Sequence, residues 1–376
     1  MRTAITKGTL RIPPTYFALA HADAMPDIEW RAFTLVADIA DPAVAVPVEQ
    51  ATPLAGRLGA RARERLKWGR LGTMARAVEA WGPDVVHQQQ ATWSLPAVRA
   101  SRRTGAPMVT TLHGGDAYRA GAARGAAGGA WNERNRRAAF AQSEALLAVS
   151  RFLAGVAVAS GAPADKVEVH YQGVDTAFWT PGDPSRRADA EPTVLFVGAL
   201  TALKGVMDLV EVSAALVERF PHRLVVVGEG PLEERVRAAA GPHVRMTGAL
   251  PREWVRDLVR SAAVLVCPTR SSEGRQEAAG LVLLEAQACA VPVIAGRVGG
   301  TPEMLADSAT GFLTADGDRD DLAAALGRVL AMPEEERAAM GAAAREWVVG
   351  NRSLRGATAR LREVYEHLGE HGRLLV

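Results

Sequence analysis

The stretch EAAGLVLLEAQACAVPVIAGRVGG, residues 277–300, places seven residues between two glutamates and puts a glycine just before an apolar run. We expect a helix to begin after Gly280 and VPVIAGRV to form the next strand. Glu277 then lies in the loop before the helix, and Glu285 lies in its first turns. Helix N-termini bind anions through their free amides, so a diphosphate fits between two carboxylates that accept sugar and ribose hydroxyls. The spacing alone equally fits a surface glutamate followed by a glutamate in a helix.

Short apolar runs alternate with amphipathic segments along the rest of the chain, which is typical of parallel sheets covered by helices on both faces. The pattern predicts α/β architecture: two Rossmann-like doubly wound domains that face each other across a cleft and bind ligands at the carboxyl ends of their strands. The predicted strands are 1–14, 29–38, 84–89, 107–114, 144–150, 167–173, 193–200, 222–230, 244–250, 262–269 and 291–298.

The length of 376 residues suits two domains. The proline-rich and charged segment 176–191 is the predicted linker between an acceptor-binding domain, 1–175, and a donor domain, 192–350. Residues 351–376 are expected to form a helix that crosses back to the first domain. The glycine- and alanine-rich segment 121–137 is predicted to be a mobile loop near the acceptor.

The composition excludes several classes of protein. No apolar run reaches ~18 residues and the N-terminus lacks a signal-peptide core, so we expect a cytoplasmic protein. Cys267 and Cys289 have apolar neighbours and no CxxC partner, so neither zinc nor a disulfide is expected. The near-neutral net charge of +2 argues against a nucleic-acid binder.

Positive charge is concentrated in the first domain. Residues 1–175 hold 21 Lys and Arg against 15 Asp and Glu, and residues 57–76 alone hold seven basic residues and one acid. A basic amphipathic helix can lie on an anionic membrane. The segment therefore predicts peripheral contact with the inner face of the cell membrane, with a solvated helix face as the alternative.

Several short motifs occur in the order and spacing of one enzyme family. FVGAL and LKG are followed by VVVGEGP, VRMTGAL, PTRSSEG, EAAGLVLLE and VGGTPEML, and the first half adds TTLHGGD and AVSRF. The chain resembles retaining nucleotide-sugar glycosyltransferases of family 4, which have the GT-B fold. The resemblance implies transfer of a hexose-type sugar from a nucleotide sugar, with a UDP-sugar favoured over a GDP-sugar. The acceptor would be a hydroxyl of a glycan, of a lipid-linked molecule or of a small molecule. It further implies front-face attack, in which the leaving phosphate takes the acceptor's proton, with no metal and no cofactor.

On the donor side, the resemblance assigns a role to each matching residue. Glu277 matches the acid that binds the donor sugar beside the reacting carbon, and Glu285 matches the ribose ligand. Lys204 and the backbone amides of Gly280, Leu281 and Val282 match the groups that bind the diphosphate. Gly198 and Ala199 match positions beside the phosphates, and Arg245 matches a position near the nucleobase.

On the acceptor side, the matches lie in the first domain. His113 and Asp116 of HGGD match the wall beside the transferred sugar and, together with Glu277 and Lys204, are the catalytic candidates. The matches on the acceptor or sugar side are Ser150, Arg151 and Gly8.

Three departures from the family pattern bear on activity. Ala199 stands where the family usually has an arginine that binds phosphate, so Arg270 or Arg275 is a candidate substitute. Gly8 stands alone where many relatives have two glycines, and the usual His-x-His reads His87-Gln88-Gln89. The alternatives left open are a phosphorylase or nucleotide-sugar epimerase of the same fold, and a non-catalytic protein that binds nucleotide sugars.

Overall fold

The computed structural model describes residues 1–12, 16–41, 44–52, 60–118, 126–183 and 191–372. The chain forms two compact units. Unit 1 contains Met1–Gln172 and Ala357–Val376, and unit 2 contains Gly173–Gly356.

The sheet of unit 1 has seven parallel strands: β1 Arg2–Ile12, β2 Glu29–Ile39, β3 Val48–Gln50, β4 Val85–Gln89, β5 Met108–Leu112, β6 Ala145–Ala148 and β7 Val167–Val169. Their order is β3-β2-β1-β4-β5-β6-β7. All residues of β4, β5 and β6 are buried, as expected for central strands with helices on both faces. The strand order reverses between β1 and β4, and such a switch point is where doubly wound sheets bind ligands.

In the described part of unit 1, the α-helices before β8 are α1 Ala20–Asp23, α2 Ala60–Trp81, α3 Leu95–Thr104, α4 Ala126–Gln142 and α5 Arg151–Ala159. The prediction of a loop over 121–137 is wrong from residue 126 onward, because α4 occupies that part; residues 121–125 lie outside the described residues. Tertiary contacts stabilise α4 despite its glycines. The Asn135 side chain accepts the backbone N–H of Leu95 at 3.1 Å, and Phe140 is buried.

The sheet of unit 2 has six parallel strands: β8 Thr193–Val197, β9 Arg223–Val227, β10 Val244–Gly248, β11 Val264–Cys267, β12 Val293–Gly296 and β13 Gly311–Thr314. Their order is β10-β9-β8-β11-β12-β13, with the switch point between β8 and β11. The helices are α6 Val206–Leu216, α7 Glu233–Ala239, α8 Arg252–Ser261, α9 Leu281–Ala288, α10 Arg319–Ala331 and α11 Glu334–Asn351. The prediction of two Rossmann-like parallel sheets is confirmed.

The expected linker and the last helix both contribute buried side chains. Trp179, within the expected linker, is buried in unit 2, while residues 184–190 lie outside the described residues. The last helix, α12 Leu354–Gly372, places Leu361 and Tyr365 in the core of unit 1. The Tyr365 hydroxyl lies 2.5 Å from Nδ1 of His87. The histidine of His87-Gln88-Gln89 is therefore hydrogen-bonded to the last helix within unit 1.

Among the described residues, none of the helices has both the length and the apolar character needed to cross a bilayer.

Candidate functional site

Two loops meet at the switch point of unit 2, one after β8 and one after β11. The first loop ends in a 3₁₀ turn, Ala202–Lys204, followed by Gly205 with a φ of 67°. A Cβ on Gly205 would lie 1.9 Å from the carbonyl oxygen of Pro268, so only glycine allows this approach. The backbone N–H of Arg270 donates to the Leu203 carbonyl at 2.9 Å, which joins the loops a second time.

An ion pair between Lys204 and Glu277 spans these two loops. The Lys204 ammonium donates to Oε2 of Glu277, and the side chains are only 22% and 14% exposed. Burial lowers the pKa of Lys204, but the Glu277 charge, Cys267 and the hydrogen bond to Glu277 raise it more, so it lies above its ordinary value. Burial raises the pKa of the neighbouring Cys267 thiol to about 11, so that group is neutral. The pair is therefore an ionic contact shielded from most solvent.

The backbone around Glu277 explains the glycines of the 277–300 stretch. The Glu277 carbonyl accepts the N–H of Gly300 at 2.9 Å. A Cβ on Gly299, whose φ is 58°, would lie 2.1 Å from the same oxygen. Gly280 has a φ of 86° and caps α9, as predicted. The loop thus holds Glu277 just before a helix whose first N–H groups, including those of Leu281 and Val282, lack acceptors within the helix.

Glu285 lies on α9, one turn beyond that N-terminus. Burial raises the pKa of its carboxyl to about 7, and the charge of Arg252 opposes this rise. The Arg252 guanidinium itself lies 4.0 Å from the ring centre of Phe178. Glu285 is consequently a carboxyl that gains or loses its proton near neutral pH.

The other predicted donor-side residues lie at different distances from this pair. A Cβ on Gly198 would lie 3.9 Å from Cδ of Lys204, so Gly198 lies beside this lysine, and the next residue, Ala199, is exposed. Arg245 is exposed on the edge strand β10. Because β9 separates β10 from β8, about 10 Å lies between their backbones, so Arg245 lies two strands away from the strand that leads into the Lys204 loop.

The two candidate substitutes for the missing arginine have different surroundings. Nη1 of Arg270 lies 3.0 Å from Asp208, whose buried carboxylate also binds Arg319 at 2.7 Å. Arg270 and Arg319 line a cavity of about 160 Å³ beside the start of α6. Arg275 is exposed, and within the described ranges its side chain forms no ion pair. The Arg270 guanidinium is thus already paired with the carboxylate of Asp208.

In unit 1, Asp116 joins the loops that follow β4 and β5. Its carboxylate accepts the backbone N–H groups of Ala91 at 2.9 Å, His113 at 3.0 Å and Gly114 at 2.9 Å. Burial raises the pKa of Asp116 above its ordinary value, although these backbone N–H groups oppose the rise. In this structure Asp116 shapes the backbone at the carboxyl end of the sheet.

His113 faces the same region as a neutral ring. Its Nε2 lies 2.7 Å from Oε1 of Gln89, and its ring centre lies 4.5 Å from that of Phe17. Burial, and secondarily the charge of Lys7, hold the pKa of His113 well below its usual range. His113 can therefore exchange hydrogen bonds with a hydroxyl but is not a cation at neutral pH.

The predicted acceptor-side residues are spread over two elements. The Ser150 hydroxyl accepts the N–H of Leu153 at 3.1 Å and so caps α5, and Arg151 is exposed as the first residue of that helix. Gly8 lies on β1 against Trp93. The sequence interpretation missed Lys7, which lies next to Gly8 and is buried; a lysine in the middle of a predicted strand was the available signal.

Among the described residues, no three His, Cys, Asp or Glu side chains are grouped so that they could hold a metal ion.

Known proteins resemble this chain along both units. The family described as Glycosyltransferase Family 4 matches residues 33–178, and Glycosyl transferases group 1 matches residues 182–347. A GDP-mannose-dependent alpha-(1-6)-phosphatidylinositol monomannoside mannosyltransferase of Mycolicibacterium smegmatis is 34% identical over 232 residues, which are 57% of this chain and 60% of that protein. The chain thus spans less than two thirds of this relative.

Other relatives match over more of their length. An alpha-maltose-1-phosphate synthase of the same species is 31% identical over 315 residues, which are 75% of this chain and 78% of that protein. The structure of Anabaena HepE in complex with UDP-glucose matches with a TM-score of 0.77 and 17% identity, covering 98% of this chain and 100% of that one. With both units matched in sequence and both sheets in place, the chain belongs to glycosyltransferase family 4 and has the GT-B fold.

Proposed function

We propose that the protein is a retaining, metal-independent glycosyltransferase that moves a hexose-type sugar from a nucleoside-diphosphate sugar to an acceptor hydroxyl. The observation that carries this proposal is the ion pair of Lys204 and Glu277 at the N-terminus of α9, at the switch point of unit 2. Lysine and free amides bind a diphosphate, and a carboxylate beside them accepts hydrogen bonds from the sugar.

The arrangement suggests how the free site changes when the donor binds. A donor diphosphate gives the Lys204 ammonium a new anionic partner, which releases Glu277 to accept sugar hydroxyls. As the bond from the anomeric carbon to the phosphate oxygen breaks, negative charge grows on the diphosphate, where Lys204 and the α9 amides stabilise it. The acceptor oxygen bonds to the same face of that carbon, and its proton passes to the leaving phosphate.

The proposed donor is a UDP-sugar rather than a GDP-sugar. HepE was solved with UDP-glucose, whereas the Mycolicibacterium mannosyltransferase is named for GDP-mannose. UDP-sugars and GDP-sugars should therefore both be included when the donor is tested.

We also propose that α2 contacts an anionic membrane on the cytoplasmic side while the enzyme acts on its acceptor. Leu66 and Trp68 are 39% and 50% exposed, and Arg65 and Arg70 beside them are exposed. Leu66 and Arg70 are four positions apart and so share one face of the helix, and a face with both apolar and basic side chains is what binding to anionic lipid requires. Residues 57–59 of the predicted basic segment lie outside the described residues.

A thermal-shift screen over UDP-, GDP- and ADP-sugars, followed by chromatography of the products, tests the proposal. A ligand at 100 times its dissociation constant adds about 2.7 kcal/mol to the free energy of unfolding. We expect one donor to stabilise the protein and to release its nucleoside diphosphate only when an acceptor is present. Phosphate-dependent turnover would indicate a phosphorylase, and formation of an epimerised sugar without an acceptor would indicate an epimerase. Binding with no turnover of any kind across an acceptor panel would indicate the non-catalytic alternative.

A further inference from the structure

A buried carboxylate lies beside the loop of unit 2 that carries Lys204. Asp208 is only 4% exposed and lies in the first turn of α6, which begins directly after that loop. Its two oxygens bind different guanidinium groups: Oδ2 lies 3.0 Å from Nη1 of Arg270, and Oδ1 lies 2.7 Å from Nε of Arg319. Burial of a carboxylate is costly without such partners. Asp208 is therefore fixed between two cations.

The two guanidinium groups belong to loops that follow different strands. Arg270 lies in the loop after β11, and its backbone N–H also donates to the Leu203 carbonyl at 2.9 Å. Arg319 is the first residue of α10, after β13, and it pairs with Glu211 of α6 as well. Asp208 thus joins the connections that follow β8, β11 and β13.

The loop after β13 makes two further contacts with the start of the loop after β11. A Cβ on Gly317 would lie 3.4 Å from Cζ of Arg270, so the glycine backbone packs against the guanidinium. The backbone N–H of Ser271 donates to Oδ1 of Asp316 at 2.9 Å. Arg270 and Ser271 are consequently held through both their side chains and their backbone.

The loop after β11 then folds back and leads to Glu277. Two backbone hydrogen bonds, of 2.9 and 3.0 Å, close a turn over 272–275. Nε2 of Gln276 donates to Oγ of Ser271 at 2.8 Å, so the residue before Glu277 is bound to the start of the loop. A short series of contacts thus connects Asp208 to the backbone of the proposed sugar-binding acid.

The groups proposed to bind the diphosphate have supports of their own. The loop before α6 is held by the close approach of Gly205 to Pro268, and α9 buries Leu283 and Leu284. Loss of the carboxylate that binds the guanidinium should therefore displace residues 270–276 while the lysine loop and the start of α9 stay in place.

We propose that Asp208 is a positioning residue for glycosyl transfer: it holds Arg270 so that the loop after β11 presents Glu277 to the donor sugar. Asp208 acts through this loop and does not contact the substrate itself. The inference rests on the proposed function and adds to it a residue that affects the sugar-binding acid rather than the diphosphate.

Steady-state kinetics and calorimetry on the full chain test this role. The donors are UDP-glucose and GDP-mannose, each with a panel of acceptors, and UDP and GDP are the probes for calorimetry. Asp208→Asn keeps the shape of the side chain but offers one acceptor oxygen to two guanidinium groups. We expect kcat to fall about 10- to 100-fold, because a displacement of about 1 Å can cost about 10²-fold. The donor KM and the affinities for UDP and GDP should stay unchanged.

Two further variants separate positioning from general stabilisation. Arg270→Gln removes the contact with the loop but leaves Asp208 paired with Arg319, and it should reproduce the loss of kcat. Arg319→Gln is the matched control, because it removes the other guanidinium and leaves Asp208 on Arg270. It should lower the urea midpoint of unfolding and leave kcat unchanged. The double variant of Asp208→Asn and Arg270→Gln should lose no more kcat than either single variant, because both act through one contact.

Four results would overturn the inference: wild-type kcat in Asp208→Asn, wild-type kcat in Arg270→Gln, an equal loss of kcat in Arg319→Gln, or multiplied losses in the double variant. Weaker binding of UDP and GDP by Arg270→Gln would assign that guanidinium to the donor phosphates, which also overturns it. If Asp208→Asn does not fold, as judged by circular dichroism, the comparison of Arg270→Gln with Arg319→Gln decides.

Failure of the proposed function has a different signature. A wild-type protein that turns over no donor would refute the proposed function, and the inference with it. The inference alone fails when the wild type is active and Asp208→Asn or Arg270→Gln is equally active.

Discussion

Replacing Glu285 by glutamine should make the stability of the protein less dependent on pH. The carboxyl has a pKa of about 7 in the folded protein against an ordinary value of 4.5. The folded state thus binds this proton more tightly than the unfolded chain does. The Glu285 contribution to the free energy of unfolding is therefore greatest below pH 4.5, falls as the pH rises to about 7, and stays low above that. The difference of roughly 2.5 pKa units corresponds to about 3 kcal/mol.

Urea unfolding followed by intrinsic fluorescence at pH 4.5 and pH 8 measures this effect. Glutamine has no charge at either pH. The free energy of unfolding of Glu285→Gln, taken relative to that of the wild type, should therefore rise by up to about 3 kcal/mol between pH 4.5 and pH 8. Glu253→Gln, at an exposed position on α8, is the matched control and should show no such gain. A wild-type-to-variant difference that is the same at both pH values would refute the reasoning.

The same variant connects stability to the proposed function. If Glu285 accepts the ribose hydroxyls, its replacement should weaken nucleotide binding while it stabilises the protein at pH 8. A partly buried charge kept at the expense of stability is expected at a binding site. Unchanged nucleotide affinity in Glu285→Gln would leave the raised pKa without a role in donor binding.

Glu277→Gln should lower kcat roughly 10²–10³-fold with a smaller change in donor affinity, because the acid acts mainly on the reacting sugar; near-normal kcat at saturating donor would contradict the role. Ala199→Arg should tighten nucleoside-diphosphate binding about tenfold, the worth of one charge-assisted contact, and no gain in calorimetry would show that this position does not reach the phosphates. Replacing Arg61, Arg65 and Arg70 with glutamine should abolish salt-sensitive sedimentation with anionic vesicles, since each basic residue near such a surface contributes about 1 kcal/mol. Wild-type protein that stays in the supernatant at low salt would reject the membrane contact.

The sheets were the most predictable part of the molecule. Runs such as TVLFV and VVHQQ are buried on both faces, and Gly280 has the positive φ that ends a loop and begins a helix. The edge strands β3 and β13 were not predicted as strands: β3 is VEQ with an exposed glutamate at its centre, and β13 has only two large apolar residues, between a glycine and a threonine. Local pattern therefore identified the strands whose own residues form the core.

What depends on tertiary contacts could not be predicted. The glycines before Trp131 favour a loop, but burial of Asn135 and Phe140 stabilises a helix. Trp179 lies in a segment with the composition of a linker, yet it is buried in a core.

The candidate site was predictable in its loops but not in its pairings. The spacing of Glu277 and the helix start could be seen in the sequence, whereas its contact with Lys204, 73 positions away, needs the fold. Arg270 was a candidate for binding phosphate, and only the structure shows its contact with buried Asp208.

Calorimetry of the Lys204→Gln variant tests the central claim most directly, with the nucleoside diphosphate that the donor screen selects and with its parent nucleoside. A double variant, Lys204→Gln with Glu277→Gln, controls for the carboxylate left without its ammonium. The account predicts that diphosphate binding weakens about 10- to 100-fold in both variants, the worth of a charge-assisted contact, while nucleoside binding is unchanged. Equal losses for nucleoside and diphosphate, or no loss for either, would contradict the assignment of the Lys204 loop to the donor phosphates.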